Sequence, residues 1–307
     1  MRTRIVGLVL LLLSVATYAQ QDAQFTQYMY NTIIVNPAYA GSRQSMSILA
    51  LHRTQWVGLE GAPVTNSFSL NTPINNSSVG IGLSVLNDKI GPSVENNIAV
   101  DFSYTIPTSD KYKMSFGLKA SANLLNIDFA KLDYAGGPIF EDNVDNKFSP
   151  NIGVGFYLHS DVSYIGISAP NLIETVHFDK GATSSSSSHV ATEKINYYLI
   201  AGHVFELSPS VKLKPALLTK YVQGAPLQVD VSANFLMNEK FVAGLAYRWS
   251  AAMSAMVGFQ ASDSWFIGYS YDFDTTALAN YNSGSHEIFL RYELFNKYDK
   301  IISPRFF

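Results

Sequence analysis

Between Ser93 and Ile106 the chain alternates. Val94, Asn96, Ile98, Val100, Phe102, Tyr104 and Ile106 share one parity, and Ser93, Glu95, Asn97, Ala99, Asp101, Ser103 and Thr105 share the other. A period of two predicts a β-strand with one greasy face and one wet face. The same plan recurs in about fourteen segments from Ser45 onwards, an even number of the kind single-chain bacterial barrels have. Lys111 to Leu125 sets Tyr112, Met114, Phe116, Leu118, Ala120, Ala122 and Leu124 against Lys113, Ser115, Gly117, Lys119, Ser121 and Asn123. Phe241 to Trp249 and Trp265 to Phe273 turn aromatic and aliphatic residues to one side, and Ser285 to Phe295 alternates Ile288, Leu290, Tyr292 and Leu294 with Glu287, Phe289, Arg291 and Glu293. The first pair, Ser45 to Arg53 and Val64 to Thr72, alternates only weakly.

A soluble β-sandwich strand also has a buried and a wet face, so the connections carry the distinction. Short turns follow even-numbered strands, at Ile74 to Ser77, Pro107 to Asp110, Ser160-Asp161, Ser208 to Ser210, Met237-Asn238 and Ala261 to Asp263. The long connections, Thr54 to Pro63, Asn126 to Lys147, Pro170 to Thr192 and Asp274 to Gly284, all follow odd-numbered ones. Short periplasmic turns alternating with longer outside loops are the signature of a membrane barrel. A sandwich has no reason to sort its loops by parity. The expected fold is therefore all-β, a transmembrane antiparallel β-barrel of about fourteen strands around a hydrated bore.

Composition agrees. Charged residues make up 15% of the 307 and aromatics 13%, with 18 Tyr and 19 Phe, as suits a lipid-facing wall with aromatic girdles. A net charge of −3 offers no basic surface for nucleic acid. Arg2 and Arg4, the apolar run Ile5 to Val15 and Thr17-Tyr18-Ala19 read as a signal peptide over residues 1–19. With no cysteine the exported chain has no disulfides. No later stretch is apolar enough for a transmembrane helix, so a closed barrel is the structure left that can cross a bilayer. Residues 20–44, without a clean period, form an N-terminal segment that either enters the lumen or lies under it on the periplasmic side. Residues 45–295 form the barrel, and 296–307 form a periplasmic tail.

No catalytic or metal-binding constellation appears. The six histidines, His52, His159, His177, His189, His203 and His286, are scattered, and no Gly-x-Ser-x-Gly elbow occurs. Neither enzyme activity nor a cofactor is expected. Gly80, Gly82, Gly153 and Gly155 lie within strands on the inward parity, making room in a crowded lumen or easing strand bending. Glu95, Asp101, Lys113, Lys119, Lys212, Lys214, Asp230, Arg248, Asp272, Arg291 and Glu293 face the same way. They either line a conducting path or neutralise one another.

Several motifs carry a resemblance. Gln24-Phe25-Thr26-Gln27-Tyr28-Met29-Tyr30-Asn31 followed by Asn36-Pro37-Ala38-Tyr39-Ala40-Gly41, then Arg53-Thr54-Gln55-Trp56-Val57-Gly58-Leu59-Glu60-Gly61-Ala62-Pro63, come first. Gly80-Ile81-Gly82 through Asn87-Asp88-Lys89-Ile90-Gly91-Pro92, Ser283-Gly284-Ser285-His286-Glu287-Ile288 and Ser303-Pro304-Arg305-Phe306-Phe307 follow in order. Together they resemble the PorP/SprF family, outer-membrane proteins of the Bacteroidetes type IX secretion system, over essentially the whole mature chain. The stretch Asn126 to Thr192 matches least.

The resemblance implies an outer-membrane component that supports secretion and surface retention of a particular cargo protein, recognised by its C-terminal sorting domain, with links to the periplasmic ring of the machine. A small-solute channel is the alternative. Arg53, Gln55, Trp56, Gly58 and Pro63 are the candidate partner-contact loop, Trp56 serving either as an anchor or as a cap on the barrel mouth. Asn36, Pro37, Tyr39 and Gly41 brace the lumen or touch cargo. Pro304, Arg305, Phe306 and Phe307 dock on periplasmic machinery or on the barrel rim.

Overall fold

The structure is a computed structural model and describes residues 23–74, 77–131, 143–178 and 191–294. The leader at 1–19, the serine run from Ala182 to Ser188 and the tail at 296–307 lie outside the described residues. Among those described, no helix is long and apolar enough to cross a membrane. The crossing is made by strands.

The wall strands are β1 (Met46–Thr54), β2 (Val64–Pro73), β3 (Val79–Ile90), β4 (Ser93–Pro107), β5 (Lys113–Ile127), β6 (Val144–His159) and β7 (Ser163–Ala169). A small ribbon, β8 (Thr175–Phe178) with β9 (Ala191–Glu193), interrupts the series. The wall resumes with β10 (Asn196–His203), β11 (Phe205–Ser208), β12 (Val211–Val222), β13 (Gln228–Met237), β14 (Phe241–Arg248), β15 (Ala252–Gln260), β16 (Trp265–Asp274) and β17 (Ser285–Leu294). β10 and β11 both pair with β12 and are one wall strand broken at Val204, whose N–H turns to Val162 O instead. Neighbours pair antiparallel all the way round, β1 with β17 and β10 with β12, closing a fourteen-stranded barrel.

Closure satisfies every strand's backbone laterally, which is the condition for crossing hydrocarbon. The alternation then divides the side chains. Val100, Leu118, Ile152, Ile167, Leu245 and Val257 project outward and are exposed. Belts of aromatics flank them: Tyr104, Phe241, Phe259 and Trp265 near the short turns, Phe148, Tyr221, Tyr247 and Phe273 near the long loops. Cross-strand partners such as Phe241 and Phe259, with ring centroids 5.0 Å apart, tie the belts together.

Two connections differ from the sequence expectation. β5 runs to Ile127 and β6 starts at Val144, so the wall continues into the stretch read as the loop Asn126 to Lys147. The connection from Pro170 to Thr192 contains the β8–β9 ribbon. Asn126 and Asn146 hydrogen-bond across the first extension and hold it in register past a bulge.

Candidate functional site

The bore is not a water-filled channel. Residues 25–43 run through it, and nearly all of them are buried. This plug contains a short helix, α1 (Thr32–Val35), and a 3-10 turn, Pro37–Tyr39. Its buried Phe25, Tyr28, Met29, Tyr30, Ile33 and Tyr39 form one apolar core with inward residues of the wall, among them Leu49, Leu51, Ile200, Leu218, Phe266 and Phe289. The expected hydrated bore is corrected accordingly. Inward positions are free to be apolar because they meet protein and not water. That is also why β1, with Leu49 and Leu51 inside, alternates so weakly.

At the long-loop end the plug is held by charge. Arg53, 1% exposed, places Nη2 2.7 Å from Asp272 Oδ2 and Nη1 3.2 Å from Glu287 Oε2. Thr26 Oγ1 donates to Asp272 Oδ2 at 2.6 Å and accepts from Arg53 Nη1 at 3.0 Å. The backbone N–H groups of Thr26 and Gln27 donate to the two oxygens of Glu287 at 3.0 and 2.9 Å. One cation faces two carboxylates, and the plug's own amides supply the missing donors. Wall and plug therefore satisfy each other. Alongside, Arg248 binds Asp230 at 2.8 Å and donates to Phe25 O at 3.4 Å.

Midway, the wall serves the plug's backbone and amides. Asn31 donates to Ser67 Oγ at 3.0 Å and accepts from Ser69 Oγ at 2.9 Å. The carbonyls at the end of α1 have no helical partner. Lys119, paired with Asp101 at 3.2 Å, donates to Ile33 O at 3.3 Å, and Ser168 Oγ donates to Val35 O at 2.6 Å.

Near the short turns Arg43 pairs with Glu293, and Tyr30 packs on Phe289 and Phe266 at 4.7 and 5.4 Å. The Arg291 guanidinium lies over the same Tyr30 ring, 5.6 Å from its centroid.

Glycines set how closely the plug can seat. A Cβ on Gly117 would stand 2.1 Å from Ala38 N, one on Gly80 2.2 Å from Ala40 O, and one on Gly155 2.2 Å from Asn36 Oδ1. These small residues on the inward parity were the sequence signal for a plug in backbone contact with the wall. Of the two roles open to them, making room is the one the contacts fill.

Of the loop candidates, Arg53 is in the lumen cluster and not on the surface. Gln55 N–H donates to Pro63 O at 2.9 Å, closing the base of the loop, and Pro63 is buried there. Trp56 is half-buried with φ +47°, a conformation that costs a bulky residue energy. It is held by its N–H to Ser285 Oγ at 3.1 Å and by Val57, which exchanges backbone bonds with Ser283 and Gly284 at 2.8 and 2.9 Å. Gly58, with φ +102°, is exposed at the tip.

The plug candidates sit deep. Asn36 is fully buried, donates to Phe156 O at 3.0 Å and caps the 3-10 turn through Ala38 N–H. Pro37 packs against Gly155, Tyr39 meets Tyr157 edge-on at 5.7 Å, and Gly41, φ +69°, lies against the Gly80 backbone. Pro304, Arg305, Phe306 and Phe307 lie outside the described residues. Thr26 and Arg43 were missed as tethers. A lone Thr or Arg in an aperiodic segment gives no hint of a carboxylate more than two hundred residues away. Among the described residues no group of three or more His, Asp or Glu side chains converges as metal ligands would.

A closed antiparallel barrel with a lipid-facing belt and a filled lumen defines an integral outer-membrane β-barrel protein. The sequence model of the type IX secretion system membrane protein PorP/SprF family matches residues 17–292, and the chain belongs to that family. Comparison with curated proteins finds no match. Among solved structures, the CymD monoaromatic hydrocarbon channel is 14% identical, covering 87% of this chain and 93% of its own, with a TM-score of 0.51. The Ralstonia pickettii toluene transporter TbuX is 9% identical, covering 85% and 92%, also at 0.51. At these identities the likeness shows a shared barrel fold and nothing finer.

Proposed function

We propose that this barrel supports type IX secretion by recognising one secreted cargo protein through its C-terminal sorting domain and holding it at the cell surface, without catalysis. Family membership supports a role as a secretion component in general. The observation that carries the finer reading is the plug. With residues 25–43 packed into the lumen, the surfaces left for partners are the outer mouth and the two rims. The loop around Trp56 is pinned to residues 283–285 at the outer mouth and is the contact surface in this reading. On the opposite rim, a cleft of about 190 Å³ lined by Gly41, Ser42, Gln44, Ser78 and Lys113 is where periplasmic ring components would dock.

Deleting the gene tests the reading. Surface display of one sorting-domain protein should be lost while small-solute uptake stays normal, and the same protein should be retained on the barrel solubilised in detergent. Unchanged display of every such protein rules it out. A small-solute channel instead predicts steady conductance in planar bilayers, which a seated plug opposes.

A further inference from the structure

The direction in which the plug threads the barrel has a topological consequence. Thr26 and Gln27 bind Arg53, Asp272 and Glu287, which lie within three residues of the long-loop ends of β1, β16 and β17. Phe25 meets Arg248, the last residue of β14 at that same end. Moving along the plug, Asn36 bonds Phe156 O, three residues from the short-turn end of β6, Ala40 sits against Gly80 near the start of β3, and Arg43 reaches Glu293, next to last in β17, at the short-turn end. The plug thus descends the full height of the lumen before β1 climbs back. In an outer-membrane barrel the short turns are periplasmic and the long loops outside.

We infer that the amino-terminal end of the plug is presented at the cell-surface mouth, beside the Trp56 loop. Ala23 and Gln24 are only half-buried there. The plug is tethered covalently at its periplasmic end and by the Arg53 cluster at its outer end. The inference needs only the barrel's orientation and stands whether or not cargo binds.

The chain has no cysteine, so single-cysteine variants report position directly. Ala23→Cys, Tyr281→Cys in the 275–284 loop, where Tyr281 is 71% exposed, and Lys111→Cys in the turn before β5 are each first shown to migrate as folded barrels. Intact cells are then treated with a membrane-impermeant maleimide. Positions 23 and 281 should label from outside and position 111 only after permeabilisation. Labelling at position 23 should be faster in an Arg53→Ala background. Position 23 labelling in step with position 111, or only after denaturation, overturns the inference, and cargo display in the same cells is scored separately.

Discussion

Gly117 and Leu118 are neighbours on β5, one facing in and one facing out, and they live in different solvents. Leu118 is 60% exposed to a fluid of lipid chains that accepts any apolar shape and rejects charge. Gly117 abuts the backbone of Ala38, a solid surface that accepts no added atom. On the inner face charge is allowed provided it is paired, as Arg53, Asp272 and Glu287 are. The outer face is thus selected for apolar character and the inner face for shape and pairing. The same strand obeys both because its side chains alternate.

Mutations on the two faces sharpen the contrast. The largest effect should come from Arg53→Ala, which leaves two buried carboxylates without their cation. A loss of about 3–5 kcal/mol in reversible unfolding from lipid is expected. Neutralising Arg53, Asp272 and Glu287 together with residues of similar volume should recover most of it. If the single and triple variants are equally unstable, charge pairing is not what holds the outer end.

Leu245→Arg puts a charge on the lipid face midway along β14, and should cost about 2–4 kcal/mol in the same measurement. Gly117→Ala adds one methyl against the plug and should cost about 1–3 kcal/mol, with flickering conductance in planar bilayers as the plug unseats. The least effect belongs to Leu118→Ala. Lipid fills the space, so no cavity remains, and the change should stay below the roughly 2–5 kcal/mol that buried leucines lose. A larger loss there than at Gly117 would break the comparison.

The lipid face was legible because its rule is local. Every second residue from Val94 to Ile106 and from Trp265 to Phe273 reports the same outer solvent, and loop lengths reported which end is outside. The motif Asn36 to Gly41 was legible as a special segment, yet its seat between Gly117, Gly155 and Gly80 was not. Arg53 was legible as the end of the first strand, but its place in the lumen cluster was not, because its partners, Asp272 and Glu287, come at the other end of the chain.

By itself the sequence determined the strands, their faces, the even-numbered barrel and the family, since alternation, turn lengths and short motifs depend on neighbours along the chain. Tertiary structure alone decided that the bore is filled, that the plug runs from the long-loop end of the barrel to the short-turn end, and which charges meet. Those outcomes depend on closure of β1 onto β17 and β10 onto β12, which brings residues hundreds of positions apart within hydrogen-bonding distance.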